Sequence, residues 1–265
     1  MAHKTLVNGT AYEVKGGKCL VNGTSYDIKK GRTLIGGTGY DITFPSAGTK
    51  IETLDVGQSV YANVNGQKTE FLVVHQGLPS SLYDSSCDGT WLLMKDCYEK
   101  RAWHSSSTND YENSTINAYL NGDFFSLFDT DIQSLIKQVK IPYRKGTGHG
   151  GTDQSGANGL FCKVFLLGGY EVGLVGARYV PDDGAKLDYF NANVGGIEPT
   201  RIAKYNGVNI GWWLRSPYTK SYTAALFINT SGGLVNMNPT SDPGVRPCII
   251  LPSDALVDDE FNLIA

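Results

Sequence analysis

The stretch GWWLRSPYTKSYTAALFINTSGGLVNMNPTSDPGVRPCIIL, Gly211–Leu251, sets two segments built to pack around a permissive interior. In the first segment, Trp212, Trp213 and Leu214 are expected to bury large area. Arg215, and Arg246 in the second, are expected to hydrogen-bond backbone carbonyls or carboxylates that hold the loops. Pro217 and Pro247 are expected to end strands. Between the two segments lie Tyr218, Thr219, Ser221, Tyr222, Thr223, Asn229, Thr230, Ser231, Asn236, Asn238, Thr240, Ser241 and Asp242. These are the residue types of a paratope, where Tyr supplies rigid amphipathic contact and Ser, Thr and Asn supply adaptable hydrogen bonding. Ala224–Ile228 and Leu234-Val235 interrupt them with strand-like apolar residues that would anchor exposed loops. The same polar residues also fill ordinary loops, so composition alone leaves both readings open.

Outward from this frame, the 265 residues hold 41% hydrophobic and 18% charged side chains, a globular composition with room for one large domain or two modest ones. Thirty-two Gly and 15 Tyr, with abundant Ser, Thr and Asn, favour short strands and long loops over helices. A net charge of −3 without a dense Lys/Arg block argues against nucleic acid, which needs a basic footprint. The opening MAHKTLVNGT has no signal-peptide run, and no segment approaches the roughly 20 apolar residues of a membrane span. Cys19, Cys87, Cys97, Cys162 and Cys248 are scattered without a CxxC pair, which predicts reduced thiols. Sequons at Asn8, Asn22, Asn113 and Asn229 read as turn chemistry.

Along the main region, strand-like runs flank Asn65-Gly66, and TWLLMKD (Thr90–Asp96) reads as a buried strand. Ser114 is placed to cap a helix through Tyr119 and Leu120. Thr130-Asp131-Ile132-Gln133 makes a capping-box pattern before Ile132, Leu135, Ile136 and Val139, the spacing of a longer helix with a core-facing stripe. Tyr143–Phe161 reads as a glycine-rich loop without the GK[ST] of a phosphate cradle. Lys163–Gly176 reads as a further strand.

The N-terminus repeats with a period of 14: LVNGTAYEVKGGKC (Leu6–Cys19), LVNGTSYDIKKGRT (Leu20–Thr33) and LIGGTGYDI (Leu34–Ile42). Asn-Gly or Gly-Gly between β-prone runs predicts a tight hairpin in each, with Gly16-Gly17 and Lys30-Gly31 as return turns and Leu, Tyr and Val/Ile on one face. Three such hairpins hold too little apolar surface to stand alone, which suggests attachment or oligomerisation. Repeats of the LVNGTAYxVKGGK type resemble those of phage and prophage tail and baseplate-associated proteins.

NSTINAYLNGDFFSLF (Asn113–Phe128), VFLLGGYEVG (Val164–Gly173), DYF (Asp188–Phe190), GWWLRSP and GVRP resemble blocks of a bacterial and phage domain family of unknown function. That family resembles the C-type-lectin-like fold in its formylglycine-generating-enzyme branch, whose domains often close on a motif similar to Gly244-Val245-Arg246. Some members resemble the variable proteins of diversity-generating retroelements, which mutagenise adenines in one short C-terminal region. Asn, Ser, Thr, Tyr and Asp are all reachable that way from AAC or AAT codons. The resemblance implies an α+β fold: a C-type-lectin-like domain with few helices over residues 51–265, a linker at 45–50 and the hairpin-repeat module at 1–44. It implies a non-enzymatic receptor-binding protein of a phage or prophage tail, made in the bacterial cytoplasm and carried on the virion. Its C-terminal loops, about residues 218–242, would adhere to a bacterial surface protein or glycan. Residues 1–44 would meet other tail proteins or further copies of the chain, a trimer being one such assembly. No cofactor, metal, nucleic acid or membrane insertion is expected.

The alternatives are a fixed structural or assembly module of a tail particle, or an enzyme or lectin. A formylglycine-generating activity would resemble that of a paired-cysteine copper site, for which only Cys248, with Cys162 at a distance in sequence, is on offer. A calcium-dependent lectin lacks its usual triplets, with Glu198-Pro199-Thr200 a half match and Asp182-Asp183 few ligands. His149 and Asp153 are weak metal candidates, and His75, His104 and His149 lack a nucleophile elbow around them.

Overall fold

The computed structural model describes residues 48–193 and 196–264 and, before them, the backbone of 4–7, 10–13, 18–21, 24–27, 30–35 and 38–43. The six N-terminal segments form three separate antiparallel pairs: Lys4–Val7 with Thr10–Glu13, Lys18–Val21 with Thr24–Asp27, and Lys30–Ile35 with Thr38–Thr43. The repeat survives in the register, since Tyr12, Tyr26 and Tyr40 face Thr5, Cys19 and Thr33. The Asn-Gly and Gly-Gly connections, Gly16-Gly17 and the one-faced alternation of side chains fall outside the described residues. Lys30-Gly31 is not a return turn: both residues lie in a strand, opposite Thr43 and Ile42.

Two five-stranded sheets, with smaller two- and three-stranded ones around them, make the main region. The strands of the two large sheets are β1 (Ser59–Val64), β2 (Gln67–Gln76), β3 (Thr90–Met94), β4 (Glu99–Lys100), β5 (Val164–Phe165), β6 (Trp212–Pro217), β7 (Ala225–Ile228), β8 (Leu234–Met237), β9 (Gly244–Val245) and β10 (Cys248–Leu251). The first sheet has the order β5-β10-β3-β2-β1 and is antiparallel throughout. The second has the order β4-β9-β6-β7-β8, with β6 and β9 parallel. Thus each framing segment feeds a sheet: GWWLRSP is the centre of the second, and GVRPCIIL passes from the second into the first.

The sequence accounts for these placements. Strand β3 from Trp91 onward and all of strand β10 read as unbroken apolar runs, and every residue in both strands is buried. Strand β1, at an edge, alternates buried and more open positions. Asn65 and Gly66 join β1 to β2 with φ of 52° and 69°, the double positive φ that a tight hairpin needs. One core cluster draws from both sheets and from the helices α1 (Thr115–Tyr119) and α2 (Thr130–Leu135). The described main region is therefore mostly β-sheet with few, short helices, in agreement with an α+β class. No helix among the described residues is long and apolar enough to cross a membrane.

The Ser114 cap forms as expected, and three other expectations need correction. Ser114 caps α1, its hydroxyl accepting from the Asn117 N–H, and the chain continues through a π turn at Leu120–Phe124. The second helix is shorter than its spacing suggests: Asp129, not Thr130, is the N-cap, and Ile136 is already extended. Val139 instead begins a strand, Val139–Ile141, paired with Leu160–Cys162, so the buried stripe continues in β form. The expected strand Lys163–Gly176 keeps only Val164 and Phe165, because the segment then turns inward at Gly168-Gly169. A Cβ on Gly168 would come within 2.9 Å of the Arg215 guanidinium, so the turn needs glycine. Finally, the linker does not extend to residue 50: Thr49 and Lys50 pair with Val257 and Leu256.

Candidate functional site

Strand β6 organises the frame. All four Trp are buried, and each indole N–H donates to a carbonyl: Trp91 to Cys87, Trp103 to Leu214, Trp212 to Arg201 and Trp213 to Arg101. Three of these bonds lie on β6 or end on it, so the strand is pinned from both sides. Arg215, fully buried, uses all five of its N–H groups. Nε donates to the Pro142 carbonyl at 2.9 Å, Nη1 to Leu166 O and Glu171 Oε2, and Nη2 to Glu171 Oε1 and Asp183 O. The Glu171 carboxylate, equally buried, also accepts from Tyr83 Oη at 2.8 Å and from the Gly168 N–H at 2.8 Å. Burial works against the Arg215 charge, but the Glu171 carboxylate outweighs it and holds the guanidinium well above its ordinary pKa.

Asp183 closes this cluster. Its Oδ2 accepts from Ser216 Oγ at 2.7 Å, and its Oδ1 is buried without a hydrogen-bond partner. Burial pushes its pKa up to about 7, although nearby Arg215 pulls the other way. Asp182, the other half of the acidic pair weighed as calcium ligands, is exposed, so the two do not face one site.

Beyond Pro217 the chain turns through Tyr218–Ala224 and returns as β7. The signal that fixes this turn is Asn109, fully buried in a polar run, which sequence reasoning passed over. Its Nδ2 donates to the carbonyls of Ser221 at 3.0 Å and Ala224 at 2.6 Å and approaches that of Tyr218 at 3.5 Å. Its Oδ1 accepts from the Gly148 N–H at 2.9 Å, and its own N–H donates to Tyr222 O. One amide thus locks the loop to its neighbour around Gly148, whose close approach to Tyr218 O leaves no room for a Cβ. Ser221 and Thr223 hydroxyls bond each other at 3.0 Å, and the Thr219 N–H donates to Tyr179 O. Tyr179, at φ 67°, sits in a left-handed conformation unusual for a bulky residue. Tyr218, partly buried, meets its ring edge-on at 5.2 Å, while Arg178 and Lys220 lie 4.5 and 5.4 Å from that ring's centroid. Tyr222 is 62% exposed.

The remaining candidates do not all join this end. The register Pro217↔Ala225↔Met237 puts the loops after β6 and β8 together, and Asn238 bonds Ser107 there. Asn229, Thr230 and Ser231 lie at the opposite end of β7, where Asn229 Oδ1 closes its own turn by accepting from the Ser231 and Gly233 N–H groups. Asn236 is exposed on edge strand β8, and Asn238 Oδ1 holds Thr240. Ser241 and Asp242 line an open cleft of about 270 Å³ with Lys100, Phe227 and Met237. The structure therefore gathers Tyr218, Thr219, Ser221, Tyr222 and Thr223 in one loop, brings Asn238 with Thr240 and Ser241 bonded to it after β8 at the same end, and places Asn229, Thr230 and Ser231 at the other.

Of the framing residues, Arg246 donates from Nε to Met94 O at 2.8 Å and lies 4.9 Å from the Trp212 ring centroid, but its Nη1 is buried and unpartnered. Cys87 and Cys97 are buried thiols pushed up to about 12 by desolvation, and Cys162 and Cys248 are raised by the same cause. Such thiols stay protonated and poorly nucleophilic. His149 is exposed, and Asp153 pairs with Arg144 at 2.9 Å. His75 Nδ1 lies 2.8 Å from Asp188 Oδ2, out of line for a hydrogen bond, and His104 Nδ1 accepts from the Thr115 N–H. Glu198 caps the turn at Pro199–Arg201 through the Thr200 N–H. Among the described residues no group of three or more His, Cys, Asp or Glu is arranged to hold a metal ion.

No curated protein and no solved structure matches the chain. A family model described as a domain of unknown function, DUF6273, matches residues 88–253. That span takes in α1, the Gly168-Gly169 turn, the Arg215 cluster, the Tyr218–Ala224 loop and both framing segments. It is more than half of the sequence, and the chain belongs to the DUF6273 family.

Proposed function

We propose that the chain is a non-enzymatic binding protein of the C-type-lectin-like kind, with the Tyr218–Thr223 loop and its neighbours as the contact surface. The bacterial partner is a surface protein or glycan, and the setting is a phage or prophage tail. The observation that carries this reading is the Asn109 lock. A loop of contact-forming side chains is held rigid from beneath, so binding costs little ordering entropy while the side chains stay free to meet a partner. The four described thiols beneath it are buried and raised by desolvation, which disfavours thiolate chemistry there. Only part of the variable-looking segment serves this surface, since Asn229–Ser231 lie at the other end of β7.

The test is retention of the full chain on a panel of whole bacterial cells, with and without Tyr222→Ala. Because Tyr222 is 62% exposed, the substitution is expected to leave the melting temperature unchanged and to abolish retention on the cells that hold the parent protein. Unchanged retention would instead favour a fixed assembly module, in which this loop only completes the fold.

A further inference from the structure

The loop end carries a charge pattern that the rest of the chain does not predict. The protein is acidic, with a net charge of −3, yet Arg178 and Lys220 are both exposed beside one tyrosine and neither pairs with a carboxylate among the described residues. Of the carboxylates in these segments, Asp153 is engaged by Arg144 and by the Asp182 N–H, while Asp182 is exposed and makes no ion pair with either cation. Resting on the Tyr179 ring, the two cations lose side-chain freedom before any ligand arrives. The ring itself is fixed by the edge of Tyr218 and by the bond from the Thr219 N–H to the Tyr179 carbonyl. A left-handed backbone at Tyr179 is the strain that this arrangement carries.

We infer that this end of the molecule binds a carboxylate-bearing polysaccharide. Arg178 and Lys220 pair with a sugar carboxylate, and Tyr222 offers the free aromatic ring on which a neighbouring sugar stacks. Two observations favour an acidic glycan over an acidic peptide. Much of the loop's main chain is turned inward: the carbonyls of Ser221, Tyr222 and Ala224 accept from Asn109, and that of Tyr218 lies 3.5 Å from its Nδ2. That shifts recognition toward side chains and away from the continuous main-chain pairing by which extended peptides are held. Lys220 and Tyr222 on the loop, with Arg178 on the adjoining Tyr179 segment, also present an anion-pairing place and a stacking place, which is what a uronic-acid repeat offers in return. The inference rests on the reading of this loop as the contact surface.

The experiment uses the full chain and a panel of polygalacturonate, alginate, hyaluronate and polysialate, each beside its carboxyl-reduced counterpart, with polyglutamate as the peptide polyanion. The expected result is retention on at least one acidic polysaccharide at low salt and none on its reduced form. Raising the salt should weaken that retention, as screening requires. The double substitution Arg178→Gln and Lys220→Gln should weaken it about tenfold or more, and Tyr222→Ala should weaken it too. Lys68→Gln, which removes an equivalent cation from the Tyr61 ring in the first sheet, should change nothing. No retention on any member, retention indifferent to the double substitution, or equal retention on polyglutamate that ignores Tyr222→Ala overturns the inference. If the double variant keeps its hold on whole cells while Tyr222→Ala loses it, the acidic-glycan inference fails and the loop remains the contact surface. If neither change matters on cells, both fail.

Discussion

Arg215 and Arg246 hold matching places in the two segments that frame the loops, and both are buried, but their surroundings differ in kind. Around Arg215 every guanidinium N–H has an acceptor and a buried carboxylate balances the charge. Around Arg246 a single carbonyl and the face of Trp212 are the contacts, and Nη1 is unpartnered. Burial depresses the Arg246 pKa, whereas Glu171 holds that of Arg215 up. The first region is a polar joint that ties Pro142, Leu166, Glu171 and Asp183 to β6; the second is a cation laid over Trp212 with one carbonyl acceptor. Two similar motifs in one sequence thus do different work, because an ion's worth inside a protein depends on whether its partners come with it.

The largest expected effect tests the first joint. Glu171→Gln leaves the Arg215 charge buried without its counter-ion and is expected to cost about 3–5 kcal/mol in urea denaturation. A loss below about 1 kcal/mol would mean that carbonyls alone satisfy Arg215, and the contrast with Arg246 would collapse.

Next comes the pH dependence of the same joint. Asp183 has an ordinary value of 3.8 when unfolded and is raised to about 7 by burial, so the native state keeps a proton that the unfolded chain gives up. Its contribution is complete below the unfolded value and is lost as the pH rises through about 7. Denaturation curves from pH 4 to pH 8 should therefore show the parent losing a few kcal/mol relative to Asp183→Asn, on the order of 1.4 kcal/mol for each pH step of one between the unfolded and folded values. Parallel curves would remove Asp183 from the joint.

A smaller effect asks whether a neutral amide does for the loop what Arg215 does for the core. Asn109→Ala strands buried carbonyls and the Gly148 N–H, and is expected to cost roughly 2–3 kcal/mol. Hydrogen exchange at the Gly148 and Thr223 amides should rise with it. Protected exchange in the variant would show that the loop holds itself.

The smallest change belongs to the second region. Arg246→Met replaces a buried, partly unpartnered guanidinium with an apolar side chain over Trp212 and should shift stability by no more than about 1 kcal/mol, in either direction. A loss equal to that of Glu171→Gln would show that Arg246 has partners as strong as those of Arg215.

The sequence of the frame told what packs. Unbroken apolar runs at Trp91–Met94 and Cys248–Leu251, the double tryptophan and the Asn65-Gly66 turn each carry their structure locally, through burial drive and backbone conformational preference. The N-terminal period of 14 likewise reappears as strand register. What the sequence left hidden is the set of polar residues that the fold takes inside. Glu171, Asp183 and Asn109 look like surface residues in their own neighbourhoods, and only partners 44, 33 and 112 residues away make their burial tolerable. The same holds for α2, where a helical spacing ends early because Val139 finds a strand partner in Cys162. It holds as well for the permissive segment, whose residues share a composition but which sheet register divides between two ends of β7. Local chemistry determined which segments would be buried and where the chain would turn. Long-range pairing alone decided which charges are matched, which loop is locked and which candidate residues stand together, because those depend on distances that no stretch of sequence contains.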